Sequence, residues 1–263
     1  MTPPRNRSDA PVAILVVAAL GIAVLVVAPL AGLLARVPWS GIGRLAEPEA
    51  RAALIVSLEV SSGAALLAVV VGFPIAWVLA RTTFVGRSVL RALVLLPLVL
   101  PPVVGGVALL TAFGRRGIVG RFLASAGITL PFTTAGAVLA AAFVSTPLVI
   151  LAIESGLRST DSRLEDAAAT MGASRRYVIR RITIPLLRPQ LLAAAVLAWA
   201  RALGEFGATI TFAGNLRGRT QTLPLAVFET LQSDPDGAVV LSVVLMILSL
   251  GVLIALRDRF LSR

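Results

Sequence analysis

The sequence predicts an all-α membrane protein: six transmembrane helices, with a cytoplasmic helix-turn-helix between the fourth and fifth. Three observations carry that expectation. Mean hydropathy is +0.94, with 57% hydrophobic and only 14% charged residues, whereas soluble domains hold about 25% charged. Apolar runs near or above ~20 residues, enough to cross a bilayer, recur along the chain. Arginines gather between the runs, where basic residues set orientation during insertion. Six spans and their connectors use the 263 residues as a single domain, residues 1–263, with a cytoplasmic loop at 158–190.

The first run, Ala10 to Ala35, follows Arg5 and Arg7. It is too long for a signal-peptide core and lacks a convincing cleavage site, so it reads as an uncleaved span. Further runs cover Ala52–Ala80, Val89–Phe113, Thr133–Leu157, Leu191–Ala213 and Ala238–Leu256. With both termini cytoplasmic, fifteen arginines lie inside and eight outside, and Arg201 falls within a span, so the bias favours ends-in. Pro74, Pro97, Pro101, Pro102 and Pro147 interrupt the runs. A proline in lipid frees a backbone carbonyl that a neighbouring helix or a wet cavity must satisfy. Either these are packing kinks, or the third span bends at Pro101 and Pro102 to line a path across the membrane.

All 24 basic residues are Arg, with no Lys, His or Cys, and net charge is +11. Without Lys there is no Walker A lysine, and without Cys or His no thiolate nucleophile, Ser-His relay or zinc finger. Any ATP coupling needs a separate protein. Arginines between apolar runs suit lipid headgroups better than nucleic acid.

The cytoplasmic loop is patterned. Ser162 and Glu165 have capping-box spacing. Leu164, Ala167, Ala168 and Met171 then repeat at helical spacing, predicting a short amphipathic helix. Gly172 stops it, and Ser174 can cap a second helix running to Pro185. Such a hairpin either seals the bundle, with Arg175, Arg176, Arg180 and Arg181 at lipid phosphates, or inserts into a partner's groove.

Arg201 and Glu205 stand four apart in the fifth run, which predicts a mutual pair, since either alone in hydrocarbon costs on the order of 3 kcal/mol. The pair either fixes helix packing or offers positive potential to a passing dianion. Thr209 and Thr211 add hydroxyls beyond it. Glu59 and Glu154 lie toward span ends, within reach of an interface or an arginine.

Asp166-Ala167-Ala168, three residues, Gly172, nine residues, Ile182-Thr183-Ile184-Pro185 resembles the EAA loop of ABC importer permeases, E-A-A-x3-G-x9-I-x-L-P. Asp166 replaces Glu and Ile184 replaces Leu. The resemblance implies the type I permease fold and a coupling role toward an ATPase for Glu165, Asp166, Ala167, Ala168, Gly172, Ile182 and Pro185. Leu96 to Gly105 and Arg201 to Thr209 resemble the oxyanion permeases of that class, and Ile210 to Pro224 is closer to the molybdate branch than to the sulfate/thiosulfate branch. The resemblance implies a permease for molybdate or tungstate in a bacterial inner membrane, with sulfate or thiosulfate as the rival substrate. It also implies a homodimer, an ABC ATPase dimer carrying ATP and Mg, an extracytoplasmic oxyanion-binding protein, no cofactor in this chain and no covalent chemistry. The expected path uses Pro101, Pro102, Arg201, Glu205, Thr209 and Thr211. Outside that resemblance, a secondary transporter driven by an ion gradient stays a rival.

Overall fold

The computed structural model describes residues 12–161 and 163–260, and among them every regular element is helical. The chain enters through α1 (Val12–Ile22), a π turn (Ala23–Val27) and α2 (Ala28–Ala35). A 3-10 turn (Trp39–Ala46) leads to α3 (Pro48–Arg81), then α4 (Arg87–Val99), α5 (Pro102–Phe113) and the short α6 (Gly120–Ser125). Next come α7 (Thr134–Ser159), α8 (Arg163–Thr170), α9 (Arg175–Val178), a second π turn (Ile179–Thr183), α10 (Ile184–Leu186) and α11 (Arg188–Leu203). The remainder is α12 (Gly207–Phe212), α13 (Leu223–Leu231) and α14 (Pro235–Phe260).

Among the described residues, four helices are long and apolar enough to cross a membrane: Val16–Ala35, Pro48–Arg81, Thr134–Ser159 and Pro235–Ile254. Two bent pairs, α4 with α5 and the Arg175–Leu186 stretch with α11, raise that to six if each pair is one span. The third and fifth runs are therefore not straight helices. Leu100 (φ −65°, ψ 135°) and Pro101 (φ −54°, ψ 133°) are extended, as expected of residues that precede a proline. The helix stops there, and α5 leaves at 118° to α4. The fifth run stops at Gly204 and restarts at Gly207, so α11 and α12 replace the single helix expected over Leu191–Ala213.

Both π turns have the same cause. Pro29 and Pro185 each follow one by two residues, and a proline can neither donate to nor sit comfortably over the carbonyl four residues back. The chain widens instead: Ala28 N–H donates to Ala23 O and Ile184 N–H to Ile179 O, five residues back.

The core is α3, α7 and α11, packed through small residues. Ala64, Ala68, Ala141, Ala194 and Ala198 are fully buried. A Cβ on Gly63 would stand 3.0 Å from Val138, and one on Gly72 3.1 Å from Val149. In lipid, close approach of this kind supplies the dispersion that holds helices together where the hydrophobic effect cannot. The Val16–Ala35 span is the opposite case, with none of its apolar window buried by the rest of the chain.

The two restart helices close on each other. A Cβ at Gly106 in α5 would meet Thr211 Cβ at 2.6 Å and the Ala208 carbonyl at 2.9 Å; one at Gly207 would meet Pro102 Cβ at 2.7 Å. We expect Gly106→Val to separate α5 from α12 and destabilise the protein by about 1–3 kcal/mol, the usual penalty of overpacking. A thermal melt in detergent, followed by size exclusion, reads the loss; Gly21→Val, which meets nothing within 4 Å, should leave the midpoint in place.

Candidate functional site

Two groups of the expected residues are assembled by the fold, one at the paired breaks and one at the arginine-rich end. At the breaks, Arg201 Nη1 lies 2.7 Å from Glu205 Oε2, with Glu205 2% and Arg201 32% exposed. The expected pair is present, but Glu205 stands beyond the end of α11 rather than on the same helix face. Its other oxygen accepts the Ala208 N–H at 2.9 Å. One buried carboxylate thus ties the last turn of α11 to the first turn of α12, and each of its oxygens is used.

Pro101 and Pro102 are exposed and Thr211 is half-buried, its hydroxyl donating to Gly207 O at 2.8 Å. Thr209 is fully buried with its hydroxyl unpartnered, so among the path residues it faces the packed interior. Pro102 rests on Gly207 and Gly106 on Thr211, which brings Pro101 and Pro102 to the same junction as Arg201, Glu205 and Thr211. Glu59 is exposed on α3.

At the arginine-rich end, α8 and α9 are joined by a turn in which Gly172 has φ +86°, a left-handed conformation that glycine adopts without a Cβ clash. Ser174 Oγ accepts the Tyr177 N–H at 3.3 Å and caps α9. The expected Ser162 cap lies outside the described residues; Asp161 Oδ1 accepts the Arg163 N–H at 2.9 Å. The second helix runs past Pro185 through the π turn to Leu186, then bends by 69° into α11. The hairpin is continuous with α11.

The adjacent acids Glu165 and Asp166 face different ways. Glu165 turns inward: Oε1 sits 3.1 Å from Arg81 Nη2, at the end of α3, and accepts the Thr183 hydroxyl at 2.9 Å. One side chain links α8 to α3 and to the root of α11. Asp166 and Ala167 are exposed, Leu164 is 53% and Met171 87% exposed, and Ala168 is half-buried. The apolar stripe read from the sequence is therefore left uncovered by the described residues. Ile182 and Pro185 are half-buried beside the buried Thr183. Nothing in the sequence flags the Arg81 partner, 84 positions away.

At the opposite end, side chains cross-link residues 214–237. Glu229 takes Arg217 at 2.6 Å, Asn215 Nδ2 at 2.6 Å and Gln221 Nε2 at 2.7 Å. Arg44 and Asp234 pair at 2.9 Å beside it, around an open pocket of about 370 Å³. The Arg217 guanidinium, followed by the two amides, holds the Glu229 carboxyl below its ordinary 4.5 despite partial burial. Sequence reasoning misses this cluster, whose members follow no helical or strand period. Among the described residues no group of three acids, His or Cys is placed to hold a metal ion.

A family model described as "Binding-protein-dependent transport system inner membrane component" matches residues 68–263. The Molybdenum transport system permease protein ModB of Mycobacterium tuberculosis is 46% identical over 239 residues, 90% of each chain. That of Escherichia coli K12 is 49% identical over 194 residues, 73% of this chain and 84% of the other. The Sulfate transport system permease protein CysT of Salmonella typhimurium is 38% identical over 200 residues, 75% and 72% of the two chains. A chain from the structure of a bacterial alginate ABC transporter, in complex with its alginate-bound periplasmic protein, superposes with a TM-score of 0.76 at 15% identity, covering 94% of this chain and 92% of that one. The fold is thus that of an ABC transporter permease.

Glu165→Gln should loosen the hairpin, because a hydrogen bond to a charged group is worth about 1.5–3 kcal/mol. Amide exchange across residues 163–186 should rise about tenfold or more, while Asp166→Asn leaves it unchanged. Glu229→Gln should speed trypsin cleavage at Arg217 and Arg219. The folded pKa of Glu229 is depressed, so its stabilisation is complete above pH 4.5 and fades as pH falls below that value. Exchange in residues 214–231, corrected for intrinsic rates, should be flat from neutrality to pH 4.5 and then climb.

Proposed function

The chain belongs to the family of binding-protein-dependent transport system inner membrane components, and from that membership we propose that it is the membrane-spanning permease subunit of an ATP-driven molybdate importer. The observation that carries the substrate is the 46–49% identity to molybdenum permeases, against 38% to a sulfate permease. Tungstate, an ion of the same shape and charge, travels with molybdate.

In this reading the subunit has six spans, each bent pair counting as one, and sits in a bacterial inner membrane with both termini cytoplasmic. Two copies enclose the path at a two-fold axis. ATP and Mg are held by a separate ATPase dimer, and an extracytoplasmic binding protein delivers the oxyanion. The outer face of α8, with exposed Asp166 and Ala167, half-buried Ala168 and, just past its end, exposed Met171, docks on the ATPase; Gly172 supplies the turn, and Ile182 and Pro185 root the hairpin in the fifth span. Glu165 passes the movement on, since its bonds to Arg81 and Thr183 make α3 and α11 follow α8. Of these, α11 runs directly into the break at Gly204.

At the breaks, Glu205 neutralises Arg201 and ties α11 to α12, leaving Arg201 partly exposed at the junction with Pro101, Pro102 and Thr211. A dianion there meets a cation already paired, which attracts without trapping. The chain supplies binding, orientation and motion.

Uptake into vesicles containing the permease, its ATPase and its binding protein tests the reading. Molybdate and tungstate should compete at similar concentrations, sulfate at least tenfold more weakly, and uptake should stop without ATP. Equal competition by sulfate moves the chain to the sulfate branch, and uptake that persists on an ion gradient without the ATPase rejects the ATP-driven mechanism.

A further inference from the structure

The arginine-rich end holds a second charged group that the transport reading leaves unused. Glu154, near the end of α7, is 2% exposed and gathers three guanidinium groups: Arg91 at 2.5 Å, Arg158 at 2.8 Å and Arg87 at 4.0 Å. Arg87 and Arg158 also donate to the carbonyl of Leu79, in the last turn of α3. One carboxylate against three cations leaves an excess positive charge of about two, and a guanidinium has five donors, most of which are unspent here.

The three arginines border an open pocket of about 520 Å³, lined also by Ser88, Ala92 and Leu95. Residues 87, 88, 91, 92 and 95 form one stripe of α4, at helical spacing. Next to it runs an apolar stripe in which Val89, Leu93, Leu96 and Val99 are 62%, 61%, 46% and 82% exposed. A basic stripe beside an exposed apolar one, at the arginine-rich end of a membrane bundle, sets guanidinium donors next to a surface suited to acyl chains.

We infer that Arg87, Arg91 and Arg158, held in place by buried Glu154, bind a phosphate-like oxyanion group at the inner end of α4. The chemistry follows from the donor set. Planar guanidinium groups bind tetrahedral oxyanions through paired N–H bonds, whereas a buried carboxylate placed behind them orients the cations without competing for the ligand's side. The pocket is within the ~300–1,000 Å³ of small-molecule sites. Two sources share this chemistry: the headgroup phosphate of an anionic lipid, whose acyl chains would follow the Val89–Leu93–Leu96 stripe, and a free oxyanion. Occupancy would fasten α4 to α3 and α7 ahead of the bend at Pro101. The site does not depend on the import reading.

The full chain is placed in nanodiscs of phosphatidylcholine containing a minority of phosphatidylglycerol, and retained lipid is counted by native mass spectrometry. In a second arm, nanodiscs of phosphatidylcholine alone are titrated with inorganic phosphate and with molybdate, and amide exchange over residues 87–99 is measured. Two variants are compared: Arg87→Gln, and Arg87→Gln with Arg158→Gln, which leaves Glu154 paired with Arg91 and no excess positive charge. Arg176→Gln removes an exposed arginine outside the cluster and serves as control. A lipid site predicts preferential retention of phosphatidylglycerol, reduced roughly fivefold in both variants and unchanged in the control. A free-anion site predicts slowed exchange over 87–99 on adding phosphate or molybdate, again lost in both variants. The inference is overturned if neither arm shows selectivity, or if Arg176→Gln loses as much as Arg87→Gln. Should one variant fail size exclusion, the other decides by the same criteria.

Discussion

Hydrocarbon offers no hydrogen bonds, and that constraint organises this molecule. A helix may break in the membrane only where something else satisfies the freed groups and fills the gap. Here two breaks meet. The stop at Leu100–Pro101 and the stop at Gly204–Phe206 are brought together so that Pro102 lies on Gly207 and Gly106 on Ala208 and Thr211. Glu205 accepts the Ala208 N–H freed by the second break. Each interruption fills the gap left by the other, and together they present an irregular, partly polar surface among apolar helices.

The same medium dictates how charge is placed. Glu154, Glu165 and Glu205 each contact at least one arginine, and each joins two or more elements: Glu154 links α7 to α4, Glu165 links α8 to α3 and to the π turn before α11, and Glu205 links α11 to α12. Charge pairs that are expensive to bury singly therefore act as fasteners between helices. They differ in what they leave over. Glu205 neutralises a single arginine, whereas Glu154 faces three and leaves the N-terminal end of α4 strongly cationic. In the proposed mechanism, movement imposed on α8 has a continuous route through Glu165 into α3 and α11.

Much of this was legible in the residues. Runs of about 20 apolar residues located the membrane helices, and the Pro101-Pro102 pair marked a bend. The apolar repeat from Leu164 to Met171, the stop at Gly172 and the cap at Ser174 announced a hairpin, and the i, i+4 spacing of Arg201 and Glu205 announced their ion pair. Other features were illegible. The restart at Gly207 was not legible, because hydropathy registers the charges of Arg201 and Glu205 but not that the backbone leaves the helix at Gly204 and re-enters it at Gly207. That Glu165 turns inward while Asp166 turns outward depends on where Arg81 arrives from 84 positions away.

The sequence by itself determined which segments leave water and which end of the bundle is basic, because burial in lipid is decided by the summed transfer energy of local stretches. Only the tertiary structure decided which breaks coincide, which acids meet which arginines and which of the path residues remain exposed. Those outcomes depend on the rotation and closeness of α3, α7 and α11 at their alanine and glycine contacts, and packing of that kind is set between distant segments rather than within any one of them.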